Sequence, residues 1–229
     1  MTLSRRGFIA GAGALALAGC QSQQPIGYQP VAAPVRQPVP IPEHYRQMYA
    51  ALPNERFPVP AVDLRPIDPL YWRQVVDDPT GARPGTIVVH PDSRFLYLVQ
   101  DGGRAIRYGI GVGREGFDWS GEAVIPFKRE WPTWTPPAEM IAREPELEKY
   151  RNGMEPGLEN PLGARALYLF QNGVDTLYRL HGTNEPWSIG RAVSSGCVRL
   201  LNQDVIDLHD RVPNGSRCIV LPQGAPVAV

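Results

Sequence analysis

Between Thr86 and Val112 the chain alternates short runs of β-branched and aromatic residues with turn chemistry, and this pattern restricts the fold more than any other stretch. Thr86-Ile87-Val88-Val89-His90 and Arg94-Phe95-Leu96-Tyr97-Leu98-Val99 flank Pro91-Asp92-Ser93, which reads as a hairpin. Asp101-Gly102-Gly103 then turns the chain into 104–112, where Ile106, Tyr108 and Ile110 fall on one face. Further strands are expected at 123–131, 166–170, 177–181 and 217–221, with a turn at Asn172-Gly173. Two helices are expected. One spans 137–150 and is split or restarted by Pro145; the other runs from a capping Asn202 to about Arg211, with Leu201, Val205, Leu208 and Val212 at helical spacing. The class is mainly β.

The N-terminal part is different in kind. Ser4-Arg5-Arg6-Gly7-Phe8 is a twin-arginine pattern, and the apolar run Ile9 to Ala18 is too short and too rich in small residues for a membrane span. Residues 1–19 therefore read as an export signal. The run ends in Leu17-Ala18-Gly19-Cys20, similar to the lipobox of bacterial lipoproteins, in which Cys20 becomes the lipidated N-terminus. Ordinary cleavage near this point, with Cys20 incidental, is the alternative. Gln21 in place of Asp favours the outer membrane by the same likeness. Prolines recur from Pro25 to Pro60, so 20–61 is expected to be an extended tether, followed by a lead-in over 62–84, a folded domain over 85–222 and a tail over 223–229. Lys plus Arg and Asp plus Glu each number 23, so no global field draws the protein to nucleic acid.

The chemistry gathers between His181-Gly182-Thr183 and Ser194-Ser195-Gly196-Cys197-Val198-Arg199. A thiol becomes a useful nucleophile beside a base, and imidazole is the usual one. A glycine just before the cysteine lets backbone approach a substrate carbonyl. Together they describe a covalent acyl-transfer site. Of the other thiols, Cys218 sits in the apolar run Arg217 to Leu221 and reads as core; a disulfide with Cys197 would silence the nucleophile. A zinc site built from Cys197, Cys218, His181 and His209 lacks the paired spacing that zinc ligands show.

The ordered set Trp134-Thr135-Pro136-Pro137, Asn160-Pro161-Leu162-Gly163, His181-Gly182-Thr183 and Ser194 to Arg199 resembles the catalytic domain of the L,D-transpeptidases of YkuD type, bacterial enzymes that remodel peptidoglycan. The likeness covers 85–222. It implies a β-sandwich or barrel with short helices beside the catalytic loop, and no cofactor or metal. Cys197 is then the nucleophile toward diaminopimelate in a tetrapeptide stem, His181 the base and acid, and the Gly182 carbonyl the group that orients the ring. Backbone N–H groups of Ser195, Gly196 and Cys197 are oxyanion-hole candidates. Many relatives carry a histidine where Ser195 stands. Arg199 either holds a stem carboxylate or makes a structural ion pair. Asn184, Trp187 and Tyr168 are candidate cleft residues, while Trp131 and Trp134 are expected to pack. The implied partners are peptidoglycan stems, with an outer-membrane protein as a further acceptor, for a lipid-anchored periplasmic monomer that does not bind nucleic acid. Acylation by carbapenems through Cys197 is also implied. Sortases keep the order His, Cys, Arg but with a Thr-rich motif missing here, papain-like peptidases reverse the order, and a non-catalytic wall-binding lipoprotein would lose the Cys or His that this chain retains.

Overall fold

The computed structural model describes residues 40–113, 119–194 and 197–225. The signal segment with Cys20, and Ser195 and Gly196 of the cysteine loop, lie outside the described residues. In chain order the described strands are β1 (Gln74–Asp77), β2 (Ile87–His90), β3 (Phe95–Gln100), β4 (Arg104–Gly109), β5 (Val112–Gly113), β6 (Gly121–Ile125), β7 (Lys128–Glu130), β8 (Arg165–Gln171), β9 (Val174–His181), β10 (Ala192–Ser194), β11 (Val198–Arg199) and β12 (Ser216–Val220). The α-helices are α1 (Glu43–Met48), α2 (Ala138–Arg143) and α3 (Asn202–Arg211), with a 3-10 turn at Pro145–Tyr150 after α2.

One large mixed sheet runs in the order β1-β4-β3-β2-β12-β6-β8-β9-β11, and β7 also pairs with β8. The β2–β12 and β9–β11 pairs are parallel; the other pairs of this sheet are antiparallel. Beyond β4, Gly111 exchanges both backbone hydrogen bonds with Arg199 of β11, each 2.9 Å. Chain from opposite ends of the strand order thus meets, and the sheet curls around its largest apolar cluster. That core joins Val89, Leu96 and Tyr108 to Leu167, Leu180, Val198 and Cys218, and α3 covers it with Val205 and Leu208. The mainly β expectation with short helices beside the cysteine loop describes this architecture.

Three local expectations need correction. The strand expected over 123–131 is two strands, β6 and β7, because Pro126 offers no N–H to a ladder. Asn202 does not cap α3: Leu201 holds the N-cap position without a side-chain bond, and the Asn202 amide is used elsewhere. The chain also packs well before Val62. Tyr49 is buried with Leu64, Ile67, Trp72, Ile189 and Leu201, and Gln203 of α3 donates to the carbonyls of Ala50 and Pro60 at 3.2 and 2.9 Å. The aromatic residues among the prolines supply the apolar area that offsets ordering, so from Pro40 onward this stretch is part of the fold and not a tether.

Candidate active site

The two-residue turn Asn172-Gly173, with φ of 51° and 79°, closes the β8–β9 hairpin and fixes its register. Ala166 lies opposite His181 and Tyr168 opposite Arg179, while β11 runs parallel on the other side with Val198 opposite Leu180 and Arg199 opposite His181. Ala166, His181 and Arg199 therefore form one cross-strand row. Cys197, immediately before β11, falls two residues back along the chain and one strand across from His181. Strand spacing and rise put their Cα atoms about 8 Å apart.

His181 is buried, and its Nδ1 lies 2.6 Å from the Gly182 carbonyl oxygen. A carbonyl can only accept, so Nδ1 carries the proton and Nε2 is left as the ring's acceptor. Burial, then the Arg199 charge, lower the imidazole pKa from its usual value to about 3; the carbonyls of Gly182 and Pro161 oppose them, and Arg179 adds to the lowering. The ring is a neutral base at physiological pH.

Asn202 explains why glycine is required beside this histidine. Its Oδ1 accepts from Ala164 N at 3.0 Å and its Nδ2 donates to Thr183 O at 3.1 Å, tying the start of β8 to the chain after β9. A Cβ added to Gly182 would stand 2.3 Å from that Oδ1, and so would one on Gly163, which also has φ of +61°. Asn160 is fully buried; its amide donates to Pro132, Met154 and Glu155 carbonyls and its Oδ1 accepts from Leu162 N. It fixes the turn that holds the Pro161 carbonyl beside the ring. The motif carrying Asn160 was visible in the sequence, but the structural roles of Asn160 and Asn202 were not.

Cys197 is half-buried, with Sγ 3.9 Å from the Leu177 carbonyl. Burial raises its pKa, against lowering by the Arg179 backbone N–H and by the Arg179 and Arg199 charges. At rest these two groups are thus a neutral thiol and a neutral imidazole. Cys218 is a free thiol in the core, pushed up to about 12 by burial. Among the described residues, no disulfide joins Cys197 to Cys218.

Other expected residues divide by surroundings. Arg199 Nη1 pairs with Glu185 Oε2 at 2.6 Å. Asn184 donates to Glu159 O, and Trp187 is exposed with Arg191 above its ring. Tyr168 stacks on Phe127, ring centroids 4.5 Å apart, beneath the Arg179 guanidinium at 4.3 Å. Trp131 is buried, edge-on to Phe57, and donates to Glu55; Trp134 bridges to Met154.

The L,D-transpeptidase catalytic-domain family, YkuD, matches residues 84–227, which is more than half of the chain. The chain belongs to this family. It is 35% identical over 150 residues to the probable L,D-transpeptidase YbiS of Escherichia coli K12, a match that covers 61% of this chain and 45% of YbiS. The chain spans about half the length of the curated relatives it matches. Among solved structures, a Brucella melitensis protein described as a probable carnitine operon oxidoreductase CaiA is 48% identical, covering 73% of this chain and 98% of its own with a TM-score of 0.48. An L,D-transpeptidase from Mycobacterium smegmatis is 20% identical, covering 60% of this chain and 58% of its own, with a TM-score of 0.43.

Proposed function

We infer that this chain is a cysteine-dependent peptidoglycan L,D-transpeptidase. The observation that carries the reading is the 2.6 Å bond from His181 Nδ1 to its neighbour's carbonyl, on the strand beside the one that Cys197 enters. It leaves Nε2 as the base for a thiol, without an acidic third residue. In the proposed reaction Cys197 Sγ attacks the diaminopimelate carbonyl of a tetrapeptide stem while Nε2 takes the thiol proton. The C–N bond to the terminal D-alanine breaks, the same proton passes to the leaving amine, and a thioester remains. An acceptor amine then loses a proton to His181 and displaces the thiolate, which is reprotonated as the new amide forms. Ser195 and Gly196 N–H groups, with that of Cys197, would bind the oxyanion.

A second diaminopimelate as acceptor gives 3-3 crosslinks, which this reading favours; an amine of an outer-membrane protein gives tethering, and water gives trimming. The setting is the periplasm, with Cys20 as the lipid anchor in the outer membrane. The test is mass analysis of the purified chain with disaccharide-tetrapeptide fragments. Crosslinked dimer with loss of D-alanine is expected; tripeptide alone would reassign it as a carboxypeptidase, and unchanged substrate with reduced Cys197 would overturn the enzymatic reading. A carbapenem should add its mass to the native chain and not to Cys197→Ala, and absence of the adduct from both would sink the nucleophile assignment.

A further inference from the structure

The strand that delivers His181 is broken just before it. Between Asp175, which pairs with Phe170, and Arg179, which pairs with Tyr168, the three residues 176–178 of β9 oppose the single Leu169 of β8. Leu177 at the apex has φ of +65° and is 75% exposed. A bulky residue rarely adopts the left-handed region unless its surroundings impose it, and bulges gather beside active sites, where they redirect backbone groups. The imposing contacts are local. Asp175 Oδ1 accepts from Leu177 N at 2.8 Å, and its carboxylate grips the Arg179 guanidinium through two bonds of 2.7 and 2.8 Å. Thr176 Oγ1 donates to Leu169 O at 2.7 Å and accepts from Tyr178 N at 3.2 Å.

The outcome is a peptide edge turned toward the nucleophile. The Leu177 carbonyl faces Cys197 Sγ at 3.9 Å, and the Arg179 backbone N–H favours the thiolate form of the same sulfur. We propose that the β9 bulge, set by Asp175 and Thr176 and pivoting on Leu177, is a positioning device for Cys197, accepting from the thiol through Leu177 O and donating to the thiolate through Arg179 N–H. Once the proton leaves for His181, the sulfur can only accept. The carbonyl contact becomes repulsive and the N–H contact attractive, so one backbone element holds the sulfur in both protonation states. The exposed Leu177 side chain is then incidental; its backbone conformation is what matters. Thr176, Asp175 and Leu177 are positioning residues, and the proposal rests on Cys197 being the reacting group.

Alkylation by iodoacetamide reads the thiolate directly, without any peptidoglycan substrate. Its rate on the purified full chain, followed across pH on the Cys197 peptide by mass spectrometry, separates this thiol from Cys20 and Cys218. Leu177→Val places a β-branched residue at positive φ without removing core, and Thr176→Val removes both hydroxyl bonds. Each should slow alkylation at pH 7 about three- to tenfold, a thiol pKa raised by about half to one unit. Leu177→Gly, free at positive φ, and Thr176→Ser, which restores the hydroxyl, should stay within about twofold of the native rate. Unchanged profiles in both valine variants would overturn the proposal. Leu177→Val keeps it testable if Thr176→Val fails to fold. A native chain with a reactive Cys197 that nonetheless leaves tetrapeptides untouched would instead overturn the transpeptidase reading and leave the bulge assignment standing.

Discussion

Two regions of this molecule hold titratable groups away from solvent, and they do so by opposite means. At the candidate active site, His181 and Cys197 are met by backbone: the Gly182, Pro161 and Leu177 carbonyls and the Arg179 N–H. At the other, where the segment before β1 meets α3, side chains meet side chains. Tyr49 donates to Asp204, Arg73 lies 2.8 Å from Asp207 and 3.7 Å from Asp204, and Tyr108 donates to Asp207 at 2.7 Å. Burial keeps both of these groups neutral, and their backbone partners add no titration of their own. Charged partners fasten one segment to another and carry their own pH dependence.

The largest effect expected from this contrast is at His181. His181→Ala should slow acylation of Cys197 by about 10²- to 10⁴-fold, the usual worth of a positioned base. Stopped-flow acylation by a carbapenem measures it. A near-native rate would mean that another base acts and that the backbone-held ring is merely structural.

The next prediction probes fastening by side chains away from the site. Glu55, from the segment expected to be a loose tether, grips Arg165 of β8 at 2.8 and 3.0 Å, and the Arg165 side chain is only 6% exposed. Glu55→Ala leaves a buried guanidinium uncompensated and should cost about 3 kcal/mol, read from urea unfolding. A loss below about 1 kcal/mol would return residues 40–61 to the status of a tether.

That segment also shows where the sequence was hard to read. The hairpin of β2 and β3 and the α3 stripe were legible because each rests on local periodicity, and Cys197 and His181 stand out as candidates because their motif states its own chemistry. The packing of Tyr49 and Glu55 was not, because proline content reports chain stiffness and says nothing about which distant α3 or β8 residue will accept the aromatic or the acid. Nor was the Leu177 bulge legible. Leucine carries no signal for positive φ, and the residues that impose it look like ordinary strand and turn polar residues. Asn202 was read as a cap because asparagine before an apolar helix usually is one, whereas two close-packed glycines here made its amide more useful across the chain.

A third prediction sets the two regions against each other. His181, lowered to about 3, binds a proton more readily unfolded than folded, so it subtracts stability as pH falls from about 6.5 toward 3. Asp204 is raised to about 7, by burial first and with Asp207 adding, against Arg73 and Tyr49. Folded protein then holds that proton more tightly, and the contribution, full below about 3.9, is lost as pH rises through 7. The slopes oppose one another over pH 4 to 6.5. Asp204→Asn should make stability rise more steeply with pH across that window, and His181→Gln should make it fall. If both variants kept the native slope in urea titrations at several pH values, neither group would be titrating as its surroundings dictate.

The smallest expected effect decides what Arg199 does. It stands in the row of His181, where a guanidinium either grips a stem carboxylate or serves the fold, and Glu185 already occupies it at 2.6 Å. The Glu185 side chain is 39% exposed, so the pair is partly screened and should contribute no more than about 1 kcal/mol. Glu185→Gln keeps the shape and removes the charge. If the pair is structural, the variant should lose that small increment of stability with KM for the tetrapeptide unchanged. If Arg199 binds substrate, releasing it from Glu185 should lower KM, because the stem carboxylate no longer competes with a carboxylate of the protein. Since β11 is only two residues long and Arg199 also closes the sheet through its backbone bonds to Gly111, the structural outcome is the one expected. A fall in KM would move the side chain into the substrate site while its main chain stays in the sheet.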